Sequence, residues 1–207
     1  MYTRKSKRKY GGRSGKTAKF FPYKKGVKYS ELAMTPEGVY STTRRDDGKV
    51  LMQHIKSVLG PTKDLTITDA TANVGGDTIL FGMHFKHVES IEINDDNYDA
   101  LAKNVAAFGL NNVTLHKGDS TKIYKWHTDV LYVDAPWGGT DYKKQQQIDL
   151  YLGDVRLDTF LDRVFSEEWK PEHVFLKVPR NFNFARLDKY APKKFQIRGF
   201  NLLHLHA

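Results

Sequence analysis

The sequence predicts an α/β fold: a doubly wound, mostly parallel sheet of seven strands with helices on both faces. Three observations predict it. Short β-branched or apolar runs alternate with stretches of helical periodicity, each about 10–15 residues long. Gly and Pro punctuate the junctions. Acidic residues stand at the ends of successive runs, where open α/β sheets bind ligands.

In chain order, residues 29–43 read as an irregular segment punctuated by Pro36 and Gly38. From Asp46 onward Val50, Leu51, Ile55, Val58 and Leu59 fall on one helical face, and Gly60 and Pro61 stop that helix. A strand at 65–69 leads through a Gly pair into a helix ending near Phe85. Residues 88–93 form the second strand, and 95–108 a helix closed by Gly109. Strands three and four lie at 113–116 and 130–133, each ending just before an aspartate. A helix at 157–165, a strand at 173–178 and two last strands near Phe195 and Leu202 complete the core, taken as residues 61–207.

With 207 residues and 40% apolar content, the chain suits one domain with an appendage. The appendage is the source of the net charge of +9: residues 1–28 carry eleven Lys and Arg and no acid, whereas the remainder is at −2. This segment, with Gly11, Gly12, Ser14 and Gly15 inside it, lacks the periodicity to fold alone and is expected to be an unfolded arm. A polycation of this kind suits a polyphosphate partner through counterion release, and Tyr10, Phe20, Phe21 and Tyr23 add rings for base stacking. The absence of cysteine excludes disulfides, thiolate zinc sites and cysteine nucleophiles. No apolar run approaches the roughly 18 residues of a membrane span, and no apolar stretch follows the N-terminal charges. An intracellular monomer is expected, with nucleus and cytoplasm both open.

Four acids mark the chemistry: Asp69, Glu92, Asp119 and Asp134, at the ends of strands one to four. The turn from Asp69 through Asn73, Gly75 and Gly76 to Thr78 offers backbone amides at a helix start, and Asn73 tolerates a left-handed conformation. Glu92, 23 residues beyond Asp69, is placed to accept two ribose hydroxyls. Asp119, with Ser120 beside it, is placed to accept an adenine amine. The set is similar to the S-adenosylmethionine site of class I (Rossmann-like) methyltransferases. The segment Asp134-Ala-Pro136-Trp137-Gly-Gly supplies the second half of such a site. An exocyclic amine on a planar ring is a poor nucleophile because its lone pair is delocalised. The Asp134 carboxylate and the Pro136 carbonyl can accept its hydrogens, while Trp137 offers a stacking face.

From about Glu31 to Asn181 the chain resembles the catalytic domain of trimethylguanosine synthases. Asp134-Ala-Pro-Trp-Gly-Gly-Thr-Asp141-Tyr142 matches that family's S/D-P-P-W-G-G-P-D-Y except at Ala135 and Thr140. Asp69 to Thr78 is similar to its D-A-F-C-G-V-G-G-N-T, and Pro179-Arg180-Asn181 to its L-P-R-N. Of its G-W-F-S-V-T-P-E segment, Tyr40, Ser41 and Thr43 keep the aromatic, serine and threonine, while Arg44 and Arg45 replace Pro-Glu. The resemblance implies methyl transfer from S-adenosylmethionine to the N2 amine of a 7-methylguanosine RNA cap. It implies that residues 29–60 line cofactor and cap, with Tyr40 and Thr43 on the cofactor. It further implies that Trp137 stacks on the methylated base, with Arg180, Asn181 and the arm's Lys24, Lys25 and Lys28 on the substrate.

Amino-methyltransferases acting on adenine N6 or on internal guanines share the D-P-P-aromatic logic, and the Gly-Gly-x-Asp-Tyr extension favours the cap enzyme. A non-catalytic RNA-binding scaffold has no need of four strand-end acids. Of eight histidines, His204 and His206 alternate on the last strand and face one side. The sequence shows no third ligand for them, and no metal is expected.

Overall fold

The computed structural model describes residues 17–206. Seven strands form one sheet in the order β3-β2-β1-β4-β7-β9-β8: β1 Thr66–Asp69, β2 His87–Glu92, β3 Val113–Lys117, β4 Val130–Val133, β7 His173–Pro179, β8 Lys193–Ile197 and β9 Phe200–His206. Pairing is parallel from β3 to β7, and β9 runs antiparallel to both of its neighbours. The chain moves outward one way from β1 through β2 to β3, then resumes beside β1 at β4. The crevice between the carboxyl ends of β1 and β4 is therefore the topological switch point, where such sheets take ligands.

Both faces are covered. Leu51, Met52 and Ile55 of α2 (Arg45–Leu59) and Leu80 and Phe81 of α3 (Gly76–Gly82) pack on Ile67, Val130, Tyr132 and Phe175. On the other face Phe160, Leu161 and Val164 of α6 (Leu157–Ser166) pack on Leu131, Val133, Val174 and Leu176. The buried strands read as continuous apolar runs because each is screened on both sides. Val50 departs from its predicted face and is exposed. Among the described residues no helix is long and apolar enough to cross a membrane.

The N-terminal segment departs from expectation in two places. Residues 17–28 are not an unfolded arm: Phe20 and Phe21 are buried in a cluster with Leu32, Val74, Leu101 and Phe108. Their basic neighbours misled because partners such as Leu101 and Phe108 come from α4 (Asp95–Ala107) and the residue after it, far along the chain. Residues 1–16 of the expected arm lie outside the described residues. The segment 29–43 is also more regular than expected, with a 3-10 turn at Tyr29–Glu31 and a short helix α1 at Gly38–Ser41. Asn104 of α4 clamps it, accepting from Ala33 N–H at 2.7 Å and donating to the Ala33 and Val74 carbonyls. A hairpin absent from the sequence reading, β5 Tyr151–Leu152 with β6 Val155–Arg156, lies between β4 and α6.

Candidate active site

A cavity of about 830 Å³ opens at the carboxyl ends of the parallel strands. At the β2–β3 side its wall includes Asn73, Glu92, Asp119 and Ser120, and at the β4–β7 side Asp134, Pro136, Trp137 and Lys177. The switch-point crevice joins the halves, where Thr71 Oγ1 accepts the Asp134 N–H at 2.8 Å.

At the β2–β3 side, Glu92 Oε2 accepts the Asn73 N–H and Oε1 the Asn94 N–H, each at 2.7 Å. Burial pushes its pKa up, and these two amides oppose the rise. The remaining lone pairs of a carboxylate so fixed suit two vicinal hydroxyls. Asn73 is left-handed at φ 51°, as its place in the turn predicted. Asp119 caps α5 (Ser120–Ile123), its Oδ1 accepting from Thr121 N–H at 2.9 Å and Oγ1 at 2.7 Å. Burial raises its pKa, but hydrogen bonds from Thr121 and Lys122 outweigh burial and leave it lowered. Leu152 and Gly153 of the unforeseen hairpin share the cavity wall with Asp119, so the hairpin walls this end.

Four residues assigned to the cofactor from sequence stand behind the wall instead. Asp69 is fully buried, accepting from Thr78 Oγ1 at 2.6 Å and Thr71 N–H at 3.2 Å, and burial pushes its pKa up to about 7. Thr78 is equally buried and also bonds Ser90. Gly75 and Gly76 face protein: a Cβ at Gly75 would meet Leu101 Cδ1 at 2.8 Å, and one at Gly76 would meet Thr42 Cγ2 at 2.4 Å. These four shape the turn that presents Asn73. Tyr40 lines the cavity and is exposed, whereas the Thr43 hydroxyl on the same wall is already engaged, donating to Asp77 Oδ2 at 2.7 Å.

The β4–β7 side holds the residue that the sequence reading missed. Lys177 Nζ, 4% exposed, donates to Asp134 Oδ2 at 2.6 Å and to Thr43 Oγ1 at 2.9 Å. Asp77 Oδ2 in turn accepts from Tyr132 OH at 3.0 Å. One buried ammonium thus answers Asp134, Asp77 and Asp69, whose charges outweigh the cost of burial and raise its pKa. Burial raises the Asp134 pKa to about 6, against the opposing pull of Lys177. The signal was present in the sequence: a single lysine interrupts the apolar run of β7. Trp137 is half-buried with Tyr142 edge-on at 5.1 Å, and the Lys177 ammonium lies 5.4 Å from its ring centroid. Its Nε1 is buried and meets no acceptor in hydrogen-bond geometry among the described residues, although it sits close enough to Asp134 to favour the charged carboxylate. Gly138 and Gly139, at φ 85° and 76°, let the chain turn sharply after the indole; a Cβ on either meets nothing, so conformation rather than space demands glycine.

The residues expected from sequence to face the substrate divide. Arg180 is exposed on the cavity wall, its Nη2 donating to the Arg198 carbonyl at 2.8 Å, and Arg44, Arg198 and Lys143 share that wall. Asn181 is off the wall: its Nδ2 donates to the Tyr142 and Gln145 carbonyls at 2.8 and 2.9 Å, holding the loop after Trp137. Lys24, Lys25 and Lys28 also stand away. Lys24 Nζ donates to the Phe108 carbonyl behind α4, Lys28 pairs with Glu31, and Lys25 is exposed outside the cavity.

The strand order, the cavity at the strand ends and the carboxylate–aromatic loop after β4 together define a class I methyltransferase fold. The particular family follows from residues 65–198, which match the model of the RNA cap guanine-N2 methyltransferases, and the chain belongs to that family. An uncharacterized Acanthamoeba polyphaga mimivirus protein, L320, is 29% identical over 149 residues, covering 68% of this chain and 58% of its own length. Saccharomyces cerevisiae trimethylguanosine synthase is 26% identical over 194 residues, covering 86% of this chain and 60% of its own. The chain therefore spans about three-fifths of the length of these relatives. Among solved structures, the T. thermophilus 16S rRNA N2 G1207 methyltransferase in complex with AdoMet and guanosine aligns with a TM-score of 0.61. Its identity is 14%, over 77% of this chain and 42% of that one. The family's cofactor is S-adenosylmethionine, and the residues fit it: Glu92 offers a fixed acceptor pair, Asn73 a left-handed backbone turn, and Asp119 a further carboxylate on the same wall.

Proposed function

We propose that the protein methylates the exocyclic N2 amine of a 7-methylguanosine RNA cap. The observation that carries this reading is the Asp134 carboxylate beside Pro136 and Trp137 in the cavity that also holds Glu92 and Asp119. When bound, S-adenosylmethionine supplies an electrophilic methyl on a positively charged sulfur. The Asp134 carboxylate and the Pro136 carbonyl accept the two N2 hydrogens, which turns the nitrogen lone pair toward the methyl carbon. With the donor held beside Glu92 and Asp119, the amine so oriented would take its methyl group, the donor would leave as a neutral thioether, and the surplus amine proton would pass to water. Lys177 occupies Asp134 Oδ2, which leaves Oδ1 for the substrate.

Recognition of a methylated purine follows from charge. A 7-methylguanine ring is cationic, and stacking on Trp137 gains about 0.5–2 kcal/mol of cation–π attraction over the unmethylated base. Asp69, Asp77 and Asp134 surround the one Lys177 ammonium and keep this part of the site from being net positive. Arg44, Arg180, Arg198 and Lys143 replace the lysines of the N-terminal segment as partners for the cap phosphates.

The test is incubation with S-adenosylmethionine and, separately, a 7-methylated cap dinucleotide, an unmethylated cap dinucleotide and an adenine-bearing oligonucleotide, with methyl groups counted by mass spectrometry. Transfer to the methylated cap, and little to the other two, is expected. Transfer to adenine alone overturns the proposal.

A further inference from the structure

At the amino end of β7, roughly 20 Å from its active-site end at 3.3 Å per residue, three side chains converge that play no part in methyl transfer. His173 opens β7 and lies directly across from His206 on the antiparallel strand β9. Cross-strand partners share a face, so the two imidazoles meet, with ring centroids 5.0 Å apart. Glu172, the residue before the strand, turns its carboxylate between them: Oε1 lies 3.7 Å from His173 Nε2 and 3.8 Å from His206 Nε2. The three ligand atoms all fall within 4.8 Å of one another.

The geometry points to a binding site for zinc or a similar divalent first-row metal, held by Glu172 Oε1, His173 Nε2 and His206 Nε2. Zinc with ligands at about 2.0–2.1 Å in a tetrahedron sets them roughly 3.4 Å apart. Glu172 and His206 are 65% and 61% exposed, so side-chain rotation can draw the three ligand atoms in from a spread of up to 4.8 Å. His173 has a partner for its other ring nitrogen, since its Nδ1 lies 3.0 Å from Nε2 of His204, two residues from His206 on the same strand face. In the tautomer where His173 Nδ1 donates to His204, its Nε2 is bare for a metal, the outer-shell arrangement that metal-binding histidines use. The fourth position faces solvent and takes a water. Imidazole with one carboxylate favours zinc over calcium or magnesium, which want oxygen. Of the pair His204 and His206 considered from sequence, only His206 is a ligand here; His173 and Glu172, brought in by β7 and the bend before it, complete the set. A metal here ties β9 to β7 at the end opposite Phe200, which lines the active-site cavity.

The inference stands apart from the methyl-transfer reading, and its test reads no methylation. Chelator-stripped full-length protein is titrated with zinc by calorimetry, and with cobalt(II) by visible absorption as a spectroscopic probe. One equivalent is expected, with a rise in thermal midpoint of about 5–10 °C at a hundredfold excess over the dissociation constant. Glu172→Gln and His206→Ala, both at exposed side chains, each weaken binding at least tenfold and shrink that rise. His204→Ala weakens it by about 10–100-fold. His116→Ala, at a histidine paired with Glu89 on the far side of the sheet, leaves binding unchanged. The proposal is overturned if the stripped wild type takes up no zinc, if Glu172→Gln and His206→Ala bind as wild type does, or if the metal is lost with His116 instead.

Discussion

The acids at the four parallel strand ends look alike in sequence, yet the pair on β2 and β3 behaves unlike the pair on β1 and β4. Glu92 and Asp119 accept backbone N–H groups and line the cavity, so their spare lone pairs face whatever binds there. Asp69 and Asp134 belong to a buried network around Lys177, and burial raises both pKa values. Asp69 never reaches the cavity wall, while Asp134 reaches it with one oxygen already spoken for. A strand-end position therefore gives an acid access to the site, and its hydrogen-bond partners decide whether it faces a ligand or supports the loop that does.

Breaking the buried network should have the largest effect. Lys177→Met leaves three acids around an apolar side chain, and removing one partner of a buried pair costs about 3–5 kcal/mol of stability, measurable by urea unfolding. Retention of wild-type stability would mean that Asp134 and Asp77 do not depend on the ammonium. On the other side of the comparison, Glu92→Gln removes a charged acceptor worth about 1.5–3 kcal/mol. The expected outcome is cofactor affinity reduced by about 10–100-fold in calorimetry, with the fold intact. Gly76→Ala tests whether the glycine turn serves packing: its Cβ would sit 2.4 Å from Thr42 Cγ2, at a cost of about 1–3 kcal/mol. Thermal unfolding would show that loss, whereas unchanged stability with weakened cofactor binding would return Gly76 to the ligand. The smallest effect belongs to Lys25→Ala, outside the cavity, where stability should move by no more than about 0.5 kcal/mol and methyl transfer to a cap dinucleotide should persist.

The sheet was legible because its strands carry apolar runs such as Val130–Val133 and because helices of readable periodicity separate them. The reactive loop was legible as a local string of Asp, Pro and Trp. What escaped were features made by distant partners. Phe20 and Phe21 sit among lysines and find their core in Phe108 and Leu101. The two-residue strands of the hairpin carry too little pattern to announce themselves. Asp69 and Glu92 could not be told apart, since only the fold shows that Thr78 and Thr71 enclose one while the other stays open. Lys177 was readable in principle, as a charge in a strand buried on both faces.

The central claim is that an ionised Asp134 receives the substrate amine, and its pH dependence tests that most directly. Burial lifts the carboxyl to about pKa 6 in the folded protein, so the acceptor form is present above that pH and is lost as pH falls through it. The kcat/KM for the 7-methylated cap dinucleotide, which follows ionisations of the protein before the cap binds, is measured between about pH 5 and pH 8 and should fall about fivefold from pH 6 to pH 5 and level off above about pH 7. A rate that stays flat across that range would contradict the role assigned to Asp134.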